Sequence, residues 1–172
     1  MANTYVAIST VTVGSGGAAN ISFTSITSDY TDLLIKTSFR STDTSFAEGR
    51  YANISFNSST SNFTVRILEA YNGNNVISGT TPARTIATFG GSSGTVSTFS
   101  NGEIYIPNYK TSNYKSYSVD TASEQNSTTH NDLQLIGGLW SDTAAITSIT
   151  MTPDSSNFAQ YTTATLYGIK SS

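Results

Sequence analysis

The sequence predicts an all-β fold: a two-sheet sandwich, jelly-roll-like, built from about ten short antiparallel strands. In most segments apolar and polar residues alternate with a period of two, as in strands with one buried face. Turn-forming Gly, Asn, Asp, Ser and Pro separate these segments. The 172 residues include ten Tyr and eight Phe, which fit a pleated surface as Val, Ile and Thr do. No segment is a convincing helix.

Residues 1–25 are predicted to form an extended N-terminal segment, followed by a single β-sandwich domain over residues 26–172. Residues 4–13 are predicted to be a strand, residues 14–17 (GSGG) a turn that tolerates positive φ, and residues 19–25 a second strand. This pattern indicates a hairpin. The sequence leaves open the alternative of an arm that reaches a neighbouring subunit.

Four strands are predicted in the first part of the sandwich domain. They are residues 33–40, 50–57, 63–71 and 84–89. The second and third, joined by a Ser-rich turn, indicate a hairpin. Helix competes with strand only over residues 63–70 (FTVRILEA), because Leu, Glu and Ala favour helices. The β-branched beginning of this segment and the Asn-Gly turn that follows favour the strand.

The segment 103–120 (EIYIPNYKTSNYKSYSVD) predicts two strands joined by a polar connection, with its aromatic and charged residues facing outward. Pro107 is expected to end the first strand, because proline has no N–H to donate. Residues 133–140 (LQLIGGLW) predict a buried strand with a bulge at the two glycines. Residues 144–152 and 160–169 predict a closing strand pair.

Composition and charge exclude several classes of partner. The net charge of −3 and the scattered Lys and Arg argue against nucleic acid. No apolar run approaches the ~20 residues of a membrane-spanning helix, and the N-terminus lacks the features of a signal peptide. The absence of cysteine excludes disulfides and thiolate metal sites. We therefore expect no nucleic acid, membrane or cofactor to bind.

No residue pattern marks an enzyme. His130, the only histidine, lies in a polar stretch without a nucleophile-elbow motif, which favours a solvated histidine over a Ser-His-Asp site. The acids that could form a glycosidase pair share no diagnostic spacing; they are Glu48, Glu69, Glu103, Asp120 and Glu124. Two aspartate pairs offer oxygen ligands for calcium, Asp29 with Asp32 and Asp142 with Asp154. Neither has EF-hand spacing, and aspartate is common in turns.

Tyrosines are the candidate contact residues. The candidates are Tyr5, Tyr105, Tyr109, Tyr114 and Tyr117. A tyrosine ring offers a large contact area and a polar hydroxyl at low entropy cost, which suits a protein interface or stacking on a carbohydrate. The alternative is that these rings only cover one face of a sheet.

Five stretches of the chain resemble a group of small structural proteins of tailed bacteriophages. They are DYTDLLIKTSFRS, ISFNSSTSNFTVRILEAYNG, NGEIYIPNYKTSNYKSYSVD, GGLWSDTAAITSITMTP and NFAQYTTATLYGIK. The similarity is densest in EIYIPNY, GLWSDTAAITSI and ATLYGI. The resemblance implies an all-β, jelly-roll-like virion module that decorates a capsid or forms part of a tail or fibre. It implies no catalytic residues.

Two hypotheses about function follow. The first is a capsid decoration (cement) protein on the virion exterior, assembled in the host cytoplasm. It would bind the major capsid protein as a homotrimer and stabilise the shell by mass action. The second is a receptor- or glycan-binding module of a tail or head fibre, with a host surface glycan as ligand. Hundreds of copies per particle would indicate decoration, and a few tens or fewer would indicate a tail or fibre.

Overall fold

The computed structural model describes residues 4–44, 50–71, 75–80, 84–126 and 131–170. The described residues contain twelve strands and no helix, which confirms the all-β prediction. The strands are β1 (Tyr5–Thr12), β2 (Ile21–Phe23), β3 (Asp32–Phe39), β4 (Arg50–Phe56), β5 (Phe63–Tyr71), β6 (Asn75–Gly79), β7 (Thr85–Phe89), β8 (Ser100–Ile106), β9 (Lys115–Glu124), β10 (Asn131–Trp140), β11 (Ile149–Pro153) and β12 (Thr163–Ile169).

The strands form two antiparallel sheets that pack against each other as a sandwich. The large sheet has eight strands in the order β1-β12-β3-β8-β9-β10-β5-β6, and the small sheet has four in the order β2-β11-β4-β7. Buried side chains from both sheets belong to one hydrophobic core. An eight-on-four arrangement does not establish the connection pattern of a jelly roll, which stays a prediction.

Period-two patterning determines which side of each strand is buried. Along β9, Tyr117 and Val119 are buried, whereas Ser118 and Asp120 are exposed. Successive side chains in a strand point to opposite faces, so one face of the large sheet packs into the core and the other meets solvent. We call the second of these the outer face.

Two aromatic clusters join the sheets. In the first, Phe56 of the small sheet contacts Phe63, Tyr117 and Trp140 of the large sheet, with ring centroids 5.5 to 5.7 Å apart. The second consists of Phe39, Phe89 and Phe158. Aromatic pairs of this kind contribute about 0.5–1.5 kcal/mol each beyond the burial of their surface. The two clusters therefore fix the position of one sheet relative to the other.

Three predicted strand pairings are wrong, because the strands lie in different sheets. β1 pairs with β12, while β2 pairs with β11. β4 pairs with β11 and β7, whereas β5 pairs with β10 and β6. The predicted closing pair is wrong for the same reason, because β11 lies in the small sheet and β12 lies in the large sheet. A turn sequence indicates where the chain reverses, but distant core contacts decide which sheet the next strand joins.

The hairpin predicted within residues 103–120 is confirmed. β8 pairs with β9, and β8 ends at Ile106, directly before Pro107. Ile104 and Ile106 are buried, while Tyr105 lies on the other side of the strand. The two strands of this hairpin are the central strands of the large sheet.

The bulge predicted in β10 is wrong. β10 keeps an unbroken register with both β9 and β5 through Gly137 and Gly138. The strand is also not fully buried, because Leu133 and Leu135 are exposed on the outer face. β10 is therefore an ordinary half-buried strand whose exposed side happens to be apolar.

Candidate interaction surface

The outer face of the large sheet carries a contiguous group of apolar side chains, which we call the apolar patch. It consists of Leu68, Ala70, Val76, Ala122, Leu133 and Leu135. Leu135 lies opposite Leu68, and Leu133 lies between Ala70 and Ala122. Directly opposite residues have Cβ atoms about 5 Å apart, so the patch is continuous over β6, β5, β10 and β9.

The large members of the apolar patch are unusually open to solvent. Leu68, Val76, Leu133 and Leu135 are between 49% and 70% exposed. Single exposed apolar residues are normal on protein surfaces, whereas a contiguous exposed group rimmed by polar residues marks an interaction site. The patch is therefore the candidate site.

Acidic side chains border the apolar patch on its β9 side. Asp120 lies opposite Leu135, and Glu124 lies further along the same face of β9. Among the described residues, no Lys or Arg lies within ion-pair distance of either carboxylate. Glu103, opposite Asp120 on β8, is instead paired with Lys36 at 2.7 Å. An apolar centre with an acidic border is complementary to a partner with apolar and basic residues.

A shallow depression lies on the same outer face, towards the opposite edge of the large sheet. It is lined by Tyr5, Leu34, Lys36, Glu103 and Tyr167. The depression combines two tyrosine rings with an exposed ion pair, and is open to solvent. Rings beside polar groups can stack on a sugar and hydrogen-bond to its hydroxyls.

Tyr105 has a structural contact on the outer face. Its hydroxyl donates a hydrogen bond to Asp32 Oδ2 at 2.9 Å, and Asp32 Oδ1 accepts one from the backbone N–H of Asn108 at 2.8 Å. Burial, together with this hydrogen bond to Asp32, raises the pKa of Tyr105. Tyr105 and Asp32 thereby attach the start of the β8–β9 connection to β3.

The five candidate tyrosines do not form one surface. Tyr5 and Tyr114 are exposed, at 57% and 60%, and Tyr105 is half-buried. Tyr109 and Tyr117 are core residues, so the expectation that their rings face outward is wrong. The Tyr109 hydroxyl donates to the carbonyl of Thr27. Any contact role remains a prediction for the three accessible rings only.

Most of the catalytic and metal candidates have a structural partner or lie outside the described residues, although Glu103 and Asp120 lie directly opposite each other on β8 and β9. His130 and Glu48 lie outside the described residues. Glu69 accepts a hydrogen bond from Gln134 Nε2 at 2.7 Å, and Asp154 lies 3.8 Å from Arg50. Within the described part of the chain, no three His, Cys, Asp or Glu side chains are grouped as metal ligands would be. The same residues include no helix able to cross a membrane.

Sequence reasoning missed the apolar patch, although a signal was present. A half-buried strand places a polar residue after each buried one, but β5 has Ile67 followed by Leu68, and β10 has Leu135 followed by Ile136. Adjacent apolar residues in an alternating strand indicate apolar groups on both faces. The run in β10 was instead interpreted as full burial.

Comparisons with protein-family models, with curated proteins and with solved structures found no match to this chain.

Proposed function

We propose that this protein is a bacteriophage virion structural protein of the capsid decoration (cement) type. In this proposal it binds the outer surface of the assembled capsid and stabilises adjacent major capsid subunits, without enzymatic activity. The observation that carries the proposal is the apolar patch on the outer face. A two-sheet domain with a closed core has no structural need for four exposed large aliphatic side chains on one face.

The proposed partner is a capsid surface that offers apolar side chains flanked by Lys or Arg. The apolar patch would supply the desolvated centre of the contact, at roughly 25 cal/mol per Å² of apolar area removed from water. Asp120 and Glu124, which have no cationic partner among the described residues, would face the basic groups of the capsid. A ligand that binds only the assembled shell stabilises that shell by mass action.

The direct test is binding of purified protein to expanded capsids that lack it, measured by co-sedimentation. We expect the wild-type protein to bind at saturable stoichiometry. Exchanging Leu133 and Leu135 together for serine should weaken binding at least about tenfold, since each buried leucine contributes roughly 1.5–3 kcal/mol. The matched control is Val96→Ser, because Val96 is 82% exposed but lies outside the patch. That variant should bind like the wild type.

Salt dependence provides a second readout. Binding should weaken as ionic strength rises, and the Asp120→Asn variant should show a smaller dependence, because one charge of the acidic border is lost. If the wild-type protein does not bind such capsids, or if the double leucine variant binds unchanged, the proposal is wrong.

The depression lined by Tyr5 and Tyr167 favours a second candidate, a glycan-binding module of a tail or head fibre. Host surface polysaccharide would then bind the wild-type protein. Tyr5→Ala should abolish that binding without loss of folding, whereas the leucine variants should retain it. Copy number per particle distinguishes the two candidates independently of any variant.

A further inference from the structure

An open β-sheet has edge strands, whose unpaired N–H and C=O groups can pair with another chain unless some feature opposes it. Within the described residues the two sheets have four edges, formed by β1, β6, β2 and β7. Three of them carry a feature that opposes pairing. β1 has a register shift between Ala7 and Ser9, and β2 has only three residues. β7 is buried along its whole length, and Gln134 Oε1 accepts the N–H of Thr88 at 3.0 Å.

β6 is the exception among these four edges. All five of its residues are exposed, and it pairs with β5 without a register shift. Its sequence, NVISG, contains no charged residue and no proline. Edge strands are normally protected by lysine, proline or a bulge, so a regular, uncharged and exposed edge is suited to accept another strand.

The sequence of β6 is complementary to itself in an antiparallel pairing. A strand of five residues has a central residue, which is Ile77. A two-fold axis at Ile77 therefore places every residue of one copy opposite a residue of the other. Ile77 then faces Ile77 of the other copy, Val76 faces Ser78, and Asn75 faces Gly79. In the pairs on either side of Ile77 the larger side chain thus meets a smaller one, and no atom lies within 4 Å of a Cβ built on Gly79. Cross-strand apolar pairs stabilise such a contact.

The charges nearest to the edge do not oppose this pairing. Glu69 lies opposite Ile77 on β5 and is the closest carboxylate in the ladder. In the two-fold arrangement the two copies of Glu69 would be separated by three strand spacings, about 14 Å. This separation exceeds the Debye length of about 8 Å at physiological salt. Repulsion between them is therefore largely screened.

We propose that β6 is a dimerisation strand, which pairs antiparallel with β6 of a second copy of this chain about a two-fold axis at Ile77. The two large sheets become one continuous sheet, and the contact is closed, since a two-fold interface uses the same patch on both subunits. Val76 belongs to both β6 and the apolar patch, so the dimer places the two patches side by side. The inference does not depend on capsid binding, and it predicts a dimer rather than the homotrimer hypothesised from sequence.

The test is analytical ultracentrifugation over a range of protein concentrations, with circular dichroism to verify folding. Wild-type protein should form a dimer. Ile77→Lys and Ile77→Glu should each raise the dissociation constant at least about tenfold, since like charges would face each other across the axis. An equimolar mixture of the two variants should form a heterodimer. Val96→Lys, the same change at an exposed residue away from β6, should dimerise normally.

Hydrogen exchange gives a readout that does not need a charged variant. Amides of β6 should become more protected as the wild-type protein is concentrated from monomer to dimer. The proposal is overturned if the wild type stays monomeric, or if an oligomer persists unchanged in Ile77→Lys. Failure of the Lys and Glu variants to associate with each other would overturn the two-fold register. Capsid binding by a monomeric Ile77→Lys protein would leave the proposed function intact.

Discussion

The ring of Tyr117 occupies the space where Gly138 lacks a side chain. The two residues lie directly opposite each other in β9 and β10, and a Cβ atom on Gly138 would overlap the ring atoms of Tyr117. Glycine within a strand normally weakens it, because no side chain packs there. Here the neighbouring aromatic ring covers the glycine and belongs to the core at the same time.

This contact predicts a large difference between two adjacent glycines. Gly138→Ala should lower the free energy of unfolding by about 1–3 kcal/mol, because the added methyl group must displace the ring. Gly137→Ala is the matched control, since no atom lies within 4 Å of a Cβ built there. It should change stability by less than about 0.5 kcal/mol. Urea unfolding of both variants checks the prediction, and equal losses would contradict it.

The Tyr117 hydroxyl predicts a pH dependence of stability. This hydroxyl is buried without a hydrogen-bond partner among the described residues, and burial raises the pKa of Tyr117. As pH rises above about 10, the unfolded chain loses the tyrosine proton while the folded chain keeps it. The folded state then binds more protons, so stability falls with rising pH.

Tyr117→Phe should therefore show a shallower alkaline loss of stability than the wild type. At neutral pH the variant should be equally or slightly more stable, because it buries no unpartnered hydroxyl. Urea unfolding between about pH 8 and pH 11 measures both effects, within the range where the unfolded tyrosine titrates. A steeper alkaline loss of stability in Tyr117→Phe than in the wild type would contradict the raised pKa of Tyr117.

Lys115 is a buried cation held by backbone carbonyls. It is 1% exposed, and its Nζ donates to the carbonyl of Thr111 at 2.7 Å and to that of Asn113. Replacing it with methionine should cost about 1–3 kcal/mol, because those backbone carbonyls lose a charged donor. Lys110→Met is the control: Lys110 is exposed and donates to the carbonyl of Ser28 at 2.9 Å.

The stability contributed by Lys115 should depend on pH. Burial lowers the pKa of Lys115 below its ordinary value of 10.5. Between that lowered pKa and 10.5 the unfolded state binds more protons, so the stability of the wild type should rise with pH relative to Lys115→Met. Chemical unfolding of both proteins over this range measures the difference. If the stability of the wild type relative to Lys115→Met fell with rising pH, the lowered pKa of Lys115 would be contradicted.

Arg40 organises the loop between β7 and β8. Its Nη1 donates to the carbonyls of Thr95 and Thr98, both at 2.8 Å. In Arg40→Met the loop amides should exchange at least about tenfold faster, since hydrogen bonds from a charged donor contribute about 1.5–3 kcal/mol. Arg66→Met is the control, because Arg66 is exposed and, among the described residues, is hydrogen-bonded only to the adjacent Val65 carbonyl, at 3.3 Å. Hydrogen exchange of residues 91–99 that is unchanged in Arg40→Met would refute this role.

Alternation along the chain predicted where most strands lie, because side-chain direction within a strand is a local property. The sequence predicted the pairing of β8 with β9 correctly, because their connection stays within one sheet. The partners of β1 and β2 depend on β12 and β11, which follow far later in the chain. No local turn sequence carries that information.

The orientation of the tyrosines was misjudged for a similar reason. Lys115 shares a face with Tyr117 and Val119, and this face is buried although it carries a lysine. Carbonyls of the connection that precedes β9 accept the Nζ protons and allow the lysine to be buried. Those contacts depend on how the loop folds, which the period of the sequence does not encode.

The pairing of β1 with β12 has a consequence for synthesis of the protein. Thr10 and Thr165 share a hydroxyl hydrogen bond of 3.0 Å across 155 residues of chain. β1 therefore stays without its partner until nearly all of the described chain has left the ribosome, and β2 must wait in the same way for β11. Local hairpins such as β8–β9 can form earlier on the nascent chain. Closure of the sandwich is thus expected to be a late event, slowed by the loop entropy that distant strand pairs must overcome.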